Sequence, residues 1–376
     1  MKTVRRLFYR DIVGSVGFVA AAFLALFFFI DLVDKLEGVG RRGRTTTGAV
    51  LGALFELPGR AYELMPIAVL IGTIFSLARM AQNSEFTILR TGGLGPRRAL
   101  GLLAALGLAF TALTFVIGDL VVPAAERRAV IVQAGADGRV GTPRVGAWLK
   151  ERRGADNGAL SVSVNVAGMT AGGTLEDLRI FEFDASGRLA RQITAARARV
   201  EADGHWRLED AVELVWPAAD TAAVVASGNG VSAASTHHDT LSWPTGLDAA
   251  VVAAAMLPDS TMTTLALWRY TRHLTLQDQA AQRQELAFWR RAFYPLSCIV
   301  MMALALPFAY LHARAGGVSL KVFGGILLGI SFVLLNNVAG HLGVLAELTP
   351  WLVSAAPGLL FLLLSLAAYT WLVRYR

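Results

Sequence analysis

Charge is what this chain has least of. Only 17% of its 376 residues are Asp, Glu, Lys or Arg, against 55% hydrophobic, whereas about a quarter of an average soluble chain is charged. Cysteine is nearly missing too. Cys298 stands alone, which excludes an internal disulfide framework and every multi-cysteine metal site. The six histidines assemble no metal pattern. His237 and His238 are adjacent and so face opposite ways on a strand, and His273 sits alone among Thr271, Arg272 and Leu274. Also absent are G-x-x-x-x-G-K-[ST], H-E-x-x-H and G-x-S-x-G. Their absence removes the usual phosphate loop, zinc protease and hydrolase readings.

The charges that remain are unevenly placed. Between Pro123 and Arg269 there are 17 acids and 14 bases, a balance of −3, so the rest of this +7 chain carries +10. A mildly acidic middle between basic, apolar flanks reads as two materials joined together, not as one soluble enzyme.

The flanks hold six uncharged runs: Ile12–Ile30, Leu64–Ala78, Ala99–Gly118, Ala292–Leu311, Val322–Gly340 and Trp351–Val373. About 20 apolar residues span a hydrocarbon core of roughly 30 Å, and five of the six meet that length. The second is short, but Ala49–Phe55 precedes it with Glu56, Arg60 and Glu63 between, which predicts one longer helix with a polar end. The first run exceeds the roughly 7–15 apolar residues of a signal peptide. Six transmembrane helices are therefore expected, divided as 1–122 (helices 1–3), 123–269 (an inserted domain) and 270–376 (helices 4–6).

Lys and Arg in short loops set orientation. With the N-terminus in the cytoplasm, the inner segments hold Arg5, Arg6, Arg10, Arg79, Arg90, Arg97, Arg98, Arg314 and Lys321, while the loop between the last two spans has no base. Two outer basic groups break the rule: Lys35, Arg41, Arg42, Arg44 and Arg60, then Arg283, Arg290 and Arg291. Either they snorkel to headgroups at helix ends, or they meet an acidic lipid on that face.

The insert reads as β. Leu160–Val166 and Leu178–Phe183 alternate, and Asp184-Ala185-Ser186-Gly187 and Glu201-Ala202-Asp203-Gly204 punctuate. Short, evenly spaced strands suggest an antiparallel sandwich or jelly roll, outside the membrane and hence periplasmic. Leu286, Trp289 and Phe293 recur at helical spacing, so an amphipathic helix leads into the fourth span. Asn336, Asn337 and His341 in and after the fifth span face other helices or serve transport.

The segment between the second and third spans is the most informative. In Asn83-Ser84-Glu85-Phe86-Thr87-Ile88-Leu89-Arg90-Thr91-Gly92-Gly93, Ser84 or Asn83 can cap a short helix and Glu85 suits its first turn. Phe86, Ile88 and Leu89 give it apolar surface, and the glycines end it. It reads as a docking element near 82–92, or as an interfacial turn lying on the membrane.

The joint order of Met80-Ala81-Gln82-x-Ser84-Glu85 and Leu286-x-x-Trp289-Arg290-Arg291-x-x-x-Pro295-Leu296-Ser297 resembles the LptF/LptG permeases of the lipopolysaccharide exporter. Leu32-Val33-Asp34-Lys35-Leu36 and Gly329-Ile330-Ser331-Phe332 point within that family toward the LptG branch. The resemblance implies six helices with a periplasmic β-jellyroll between the third and fourth. It also implies pairing of LptF with LptG, an LptB ATPase dimer beneath, and delivery of lipopolysaccharide to LptC and LptA. ATP and Mg would then sit on the partner ATPase, and this chain would bind no cofactor. Ser84, Glu85, Phe86, Ile88, Leu89 and Arg90 are expected to couple to that ATPase, and Lys35, Arg41, Arg42, Arg290 and Arg291 to contact lipid. Family members often carry several lysines at the outer end of the first helix, whereas here Asp31, Asp34 and Glu37 surround Lys35. The other classes open are a membrane-anchored periplasmic enzyme acting on envelope glycans or lipids and a scaffold without turnover. Stoichiometric copurification of an ATPase separates them from the first.

Overall fold

The computed structural model describes residues 2–39, 45–85, 88, 91, 95–133, 139–140, 146–153, 160–170, 173–201, 204–216, 233–247, 249–256, 259–276, 281–310 and 318–374. They group into two compact units. One comprises Met1–Glu37, Val50–Glu126 and Gln282–Arg376, and the other Gly38–Ala49 and Arg127–Ala281.

The first unit is helical. α1 (Lys2–Leu36) and α2 (Thr46–Gln82) precede α3 (Pro96–Val116), which passes through a π-helical turn, Ile117–Val121, into α4 (Val122–Gln133). After the β-domain, α7 (Gln282–Phe293) meets a 3₁₀ turn (Tyr294–Leu296) and α8 (Ser297–Tyr310), followed by α9 (Val318–Leu345) and α10 (Pro350–Arg374). Six helical stretches among the described residues are long and apolar enough to cross a membrane, as the uncharged runs predict. The short second run is indeed the end of a 37-residue helix starting at Thr46. Their shared core is built from Phe8, Ile12, Leu70, Ile74, Leu103 and Met301.

Small residues set how closely these helices approach. A Cβ on Gly72 would stand 2.5 Å from the Val16 Cα, one on Gly325 2.7 Å from Ile74 Cδ1, and one on Gly329 3.0 Å from Ile67 Cγ2. Membrane helices gain little from the hydrophobic effect against lipid, so close van der Waals packing at small residues carries their association.

The second unit is built on an antiparallel β-sheet. β1 (Arg139–Val140), β2 (Ala147–Arg153), β3 (Leu160–Thr170), β4 (Leu175–Phe183), β5 (Leu189–Val200), β6 (His205–Val215) and β7 (Ala234–Pro244) make one sheet, and a short helix, α5 (Ala249–Met256), follows β7. All pairings are antiparallel, in register Val164↔Ile180, Ile180↔Ile193, Ala195↔Ala211 and Trp206↔Trp243. Strands β3 to β7 follow one another as a meander, and both β1 and β2 lie on the remaining edge of β3. The turns predicted at Asp184–Gly187 and near Gly204 place glycine at φ 78° and 79°, a region that only glycine enters without strain.

Alternation puts Val162, Val164, Leu178, Ile180 and Ile193 on the buried face. Trp206 and Trp243 meet edge to face at 5.6 Å. α5 adds Val252 and Met256 to the same core, together with Leu247. Glu151 is buried but satisfied: its carboxylate accepts from Thr245 Oγ1 (2.8 Å) and the Gly246 N–H (2.6 Å). The helix α6 (Thr264–Leu276) completes the elements of this unit.

Candidate functional site

The C-terminal turns of α1 and the facing part of α2 are laced by charge. Asp31, buried, accepts two bonds from the Arg60 guanidinium at 3.0 and 2.8 Å, and Lys35 Nζ lies 2.6 Å from Glu56 Oε1. Lys35, one of the expected lipid contacts, is thus already engaged within the bundle. Towards the other end of the pair, Asp11 accepts from Ser76 Oγ at 2.5 Å and pairs with Arg79. Arg41 and Arg42 lie outside the described residues.

Arg290 and Arg291 close the last turn of α7, where cations suit the helix dipole. They do different things. Arg291 donates to the Gly118 carbonyl at 3.1 Å, inside the π-helical turn, while Tyr62 packs so tightly there that a Cβ on Gly118 would come 2.4 Å from its ring. Arg290 donates to Asn337 Oδ1 at 3.3 Å, and the His341 ring meets the Asn337 carbonyl at 2.8 Å. Arg290 also lines a half-open, mainly apolar pocket of about 230 Å³ between α7, α8, α9 and α10. The asparagine row and Arg290, separate features in the sequence, are one neighbourhood in space.

The segment after α2 is described in part. Ser84 takes φ 61° and its carbonyl accepts the Ile88 N–H at 3.0 Å, as the residue heading a helical turn does. The left-handed φ differs from the extended backbone usual at a helix cap, because Ser84 lies in the turn that follows α2, its N–H donating to the Ala81 carbonyl, and also starts the next turn. Glu85 is exposed, and Ile88 is 68% exposed. Phe86, Leu89 and Arg90 lie outside the described residues.

In the β-domain, Arg191 joins Glu213 (2.6 Å) and Glu182 (3.6 Å), Trp243 Nε1 donates to Glu182 at 2.7 Å, and His238 Nε2 meets Glu213 at 3.1 Å. Burial pushes the Glu213 carboxyl up, yet the bonds and charges of Arg191 and His238 hold it below the ordinary carboxylate value. No group of three or more His, Cys, Asp or Glu that could hold a metal occurs among the described residues.

Sequence reasoning missed the Asp31–Arg60 pair, the π-helical turn and the pocket. The available signals were an acid inside an apolar helix, Gly118 beside Asp119 at the end of an apolar run, and the breaker pair Pro357-Gly358 within the last span.

Six helices long and apolar enough to cross a membrane, with a β-domain inserted between the third and the fourth in sequence, define a multi-pass membrane protein. The chain matches the lipopolysaccharide export system permease LptF/LptG family over residues 6–372 and belongs to it. It is 26% identical to the lipopolysaccharide export system permease protein LptG of Escherichia coli (strain K12), across 90% of this chain and 89% of that one. It is 24% identical to LptG of Haemophilus influenzae, across 97% of both. It is accordingly a transport subunit of the inner membrane, not an enzyme.

Proposed function

We propose that this chain is one half of a permease that withdraws lipopolysaccharide from the outer leaflet of the inner membrane, driven by ATP hydrolysis on a partner chain. The observation that carries the reading is the family match along nearly the whole chain. A second permease of the family completes the lipid cavity. An ATPase dimer grips the turn after α2, where exposed Glu85 stands beside exposed Ile88. The N- and C-termini are cytoplasmic by the placement of Lys and Arg, and the β-domain is periplasmic. When the ATPases close, that turn moves α2 and α3 as levers, the cavity narrows, and the amphiphile leaves toward the β-domain. From there it passes to LptC-like and LptA-like β-domains. Arg291, near the outer membrane face, supplies donors to the phosphates of the transported lipid.

Glu85 provides the test. A carboxylate buried on docking needs a cationic or hydrogen-bonding partner, and a groove Arg on the ATPase fits that need. Truncating one member of a buried charged pair costs on the order of 2–5 kcal/mol. ATPase copurification with Glu85→Ala is therefore expected to weaken by roughly tenfold or more, while Asn83→Ala behaves as the parent. Equal behaviour of the two variants rejects Glu85 as a coupling residue. Absence of any copurifying ATPase from the parent rejects the permease reading itself.

A further inference from the structure

The half-open pocket beside Arg290 arises where two helices are interrupted. Pro295 sits in the 3₁₀ turn between α7 and α8. Pro357 sits inside α10, where its missing N–H leaves the Val353 carbonyl without the usual helical donor. The residues that would otherwise interdigitate there are small: Ser297, Ser354, Ala355 and Gly358 all line the space. A Cβ added to Gly358 meets nothing within 4 Å. One wall is stiff, because Phe332 stands edge to face on Phe361 at 5.3 Å.

Arg290 is the charged member of the lining, Asn336 joins it one helical turn beyond Phe332 along α9, and no lining residue is acidic. Ser354 Oγ already donates to the Pro350 carbonyl at 2.9 Å, so it makes no demand for a polar ligand. The Arg290 bond to Asn337 uses one of five guanidinium N–H groups. A void in this apolar lining forfeits dispersion contacts on one side, and hydrocarbon is the solvent at hand in a bilayer. At about 230 Å³ the space falls below the ~300–1,000 Å³ of ordinary ligand sites. It takes one slender chain, not the several chains of a lipid A.

We propose that this pocket holds one acyl chain of an anionic glycerophospholipid, with the lipid phosphate on Arg290. The occupant is a resident lipid, separate from the exported cargo. It would wedge α10 against α8 and α9 at the level of the Pro357 break. The assignment does not depend on the transport reading.

The test uses the full chain, with whatever permease and ATPase it copurifies with, in nanodiscs of phosphatidylethanolamine and phosphatidylglycerol. A phosphatidylglycerol with a diazirine in one acyl chain is activated by light, and labelled peptides are mapped by mass spectrometry. Label is expected on the peptides holding Val300, Phe332 and Leu362. Gly358→Leu, which fills the space, is expected to reduce it at least tenfold. Gly101→Leu, at a position whose Cβ also meets nothing within 4 Å, is expected to leave it unchanged. Arg290→Gln is expected to remove the preference for phosphatidylglycerol over an equivalent phosphatidylethanolamine probe. Ala355→Leu serves as a second filling variant if Gly358→Leu lowers the melting midpoint. Undiminished labelling in both filling variants overturns the proposal. So does competition of the label by lipopolysaccharide, which would make the pocket a cargo site. Loss of the label on assembly with the second permease also overturns it, since a protein segment would then be the occupant.

Discussion

Asp31 is a carboxylate on an apolar helix, tolerable because Arg60 presents its planar fork to both oxygens. Arg60→Ala would strand a buried charge, and an unsatisfied buried acceptor costs about 1–3 kcal/mol, more when charged. A clear fall in the melting midpoint in detergent is expected for Arg60→Ala. The double change Asp31→Asn with Arg60→Gln is expected to fall less, since neither residue is then left as an unpaired charge. Equal losses would mean that the pair contributes shape alone. Glu213 yields a prediction about acid. Its carboxyl is held below the ordinary value of 4.5 in the folded chain, so the stabilisation is complete above the unfolded value and is lost as pH falls through the folded one. The fluorescence of buried Trp206 and Trp243 should therefore report easier unfolding of the β-domain on acidification below about pH 4.5. Glu213→Gln is expected to flatten that dependence while lowering stability at pH 7. The same pH profile in both proteins would assign the acid response to other carboxylates.

Individual elements were legible to different degrees. The spans could be read because a bilayer imposes a length on uncharged runs, whatever their neighbours. The strands β3 and β4 could be read because one buried face imposes a period of two. What the sequence does not encode along any single element is which partner it meets. The Arg290–Asn337 bond, the Arg291 hold on Gly118 and the pairing of β1 and β2 with one strand all depend on tertiary placement. The π-helical turn is invisible to periodicity for the same reason: an inserted residue in a uniformly apolar helix leaves no phase to break. Gly72 is the sharpest element-level case. A Cβ there would stand 2.5 Å from backbone, not from a side chain that could swing aside, so α1 and α2 would have to separate. Overpacking of this kind costs typically 1–3 kcal/mol and occasionally more. Gly72→Ala should lower the yield of monodisperse protein and its melting midpoint. Gly101→Ala, which meets nothing within 4 Å, should be neutral or stabilising by up to ~1 kcal/mol through helix propensity. Matching behaviour of the two would remove the close approach as a determinant of the bundle.

At the scale of the whole molecule, the division into a basic apolar part and a mildly acidic β part is also a division of labour. The bundle, with its close approaches at small residues and its internal ion pairs, has its own core around Phe8, Leu70 and Met301. The sheet has its own core around Trp206, Trp243, Val164 and Ile180. That core extends past β7, since Leu247, Val252 and Met256 belong to it. A clean excision must take them with the strands, or it leaves an apolar helix face with nothing to cover it. Replacing residues 134–258 by a short Gly/Ser linker, flexible enough to rejoin the ends, should leave a chain that inserts in the membrane and copurifies with its ATPase. If the sheet edge is what passes lipid onward, by pairing its unpaired N–H and C=O groups with those of the next β-domain, that chain should hydrolyse ATP but deliver no lipopolysaccharide to a periplasmic acceptor. The measurement is crosslinking of lipopolysaccharide to the acceptor in reconstituted vesicles, with ATP hydrolysis followed in the same samples. Delivery at the parental rate would place the exit route in the bundle and reduce the β-domain to an attachment. Loss of both hydrolysis and delivery would instead show that the sheet is needed for the ATPase cycle, ahead of any role as a bridge.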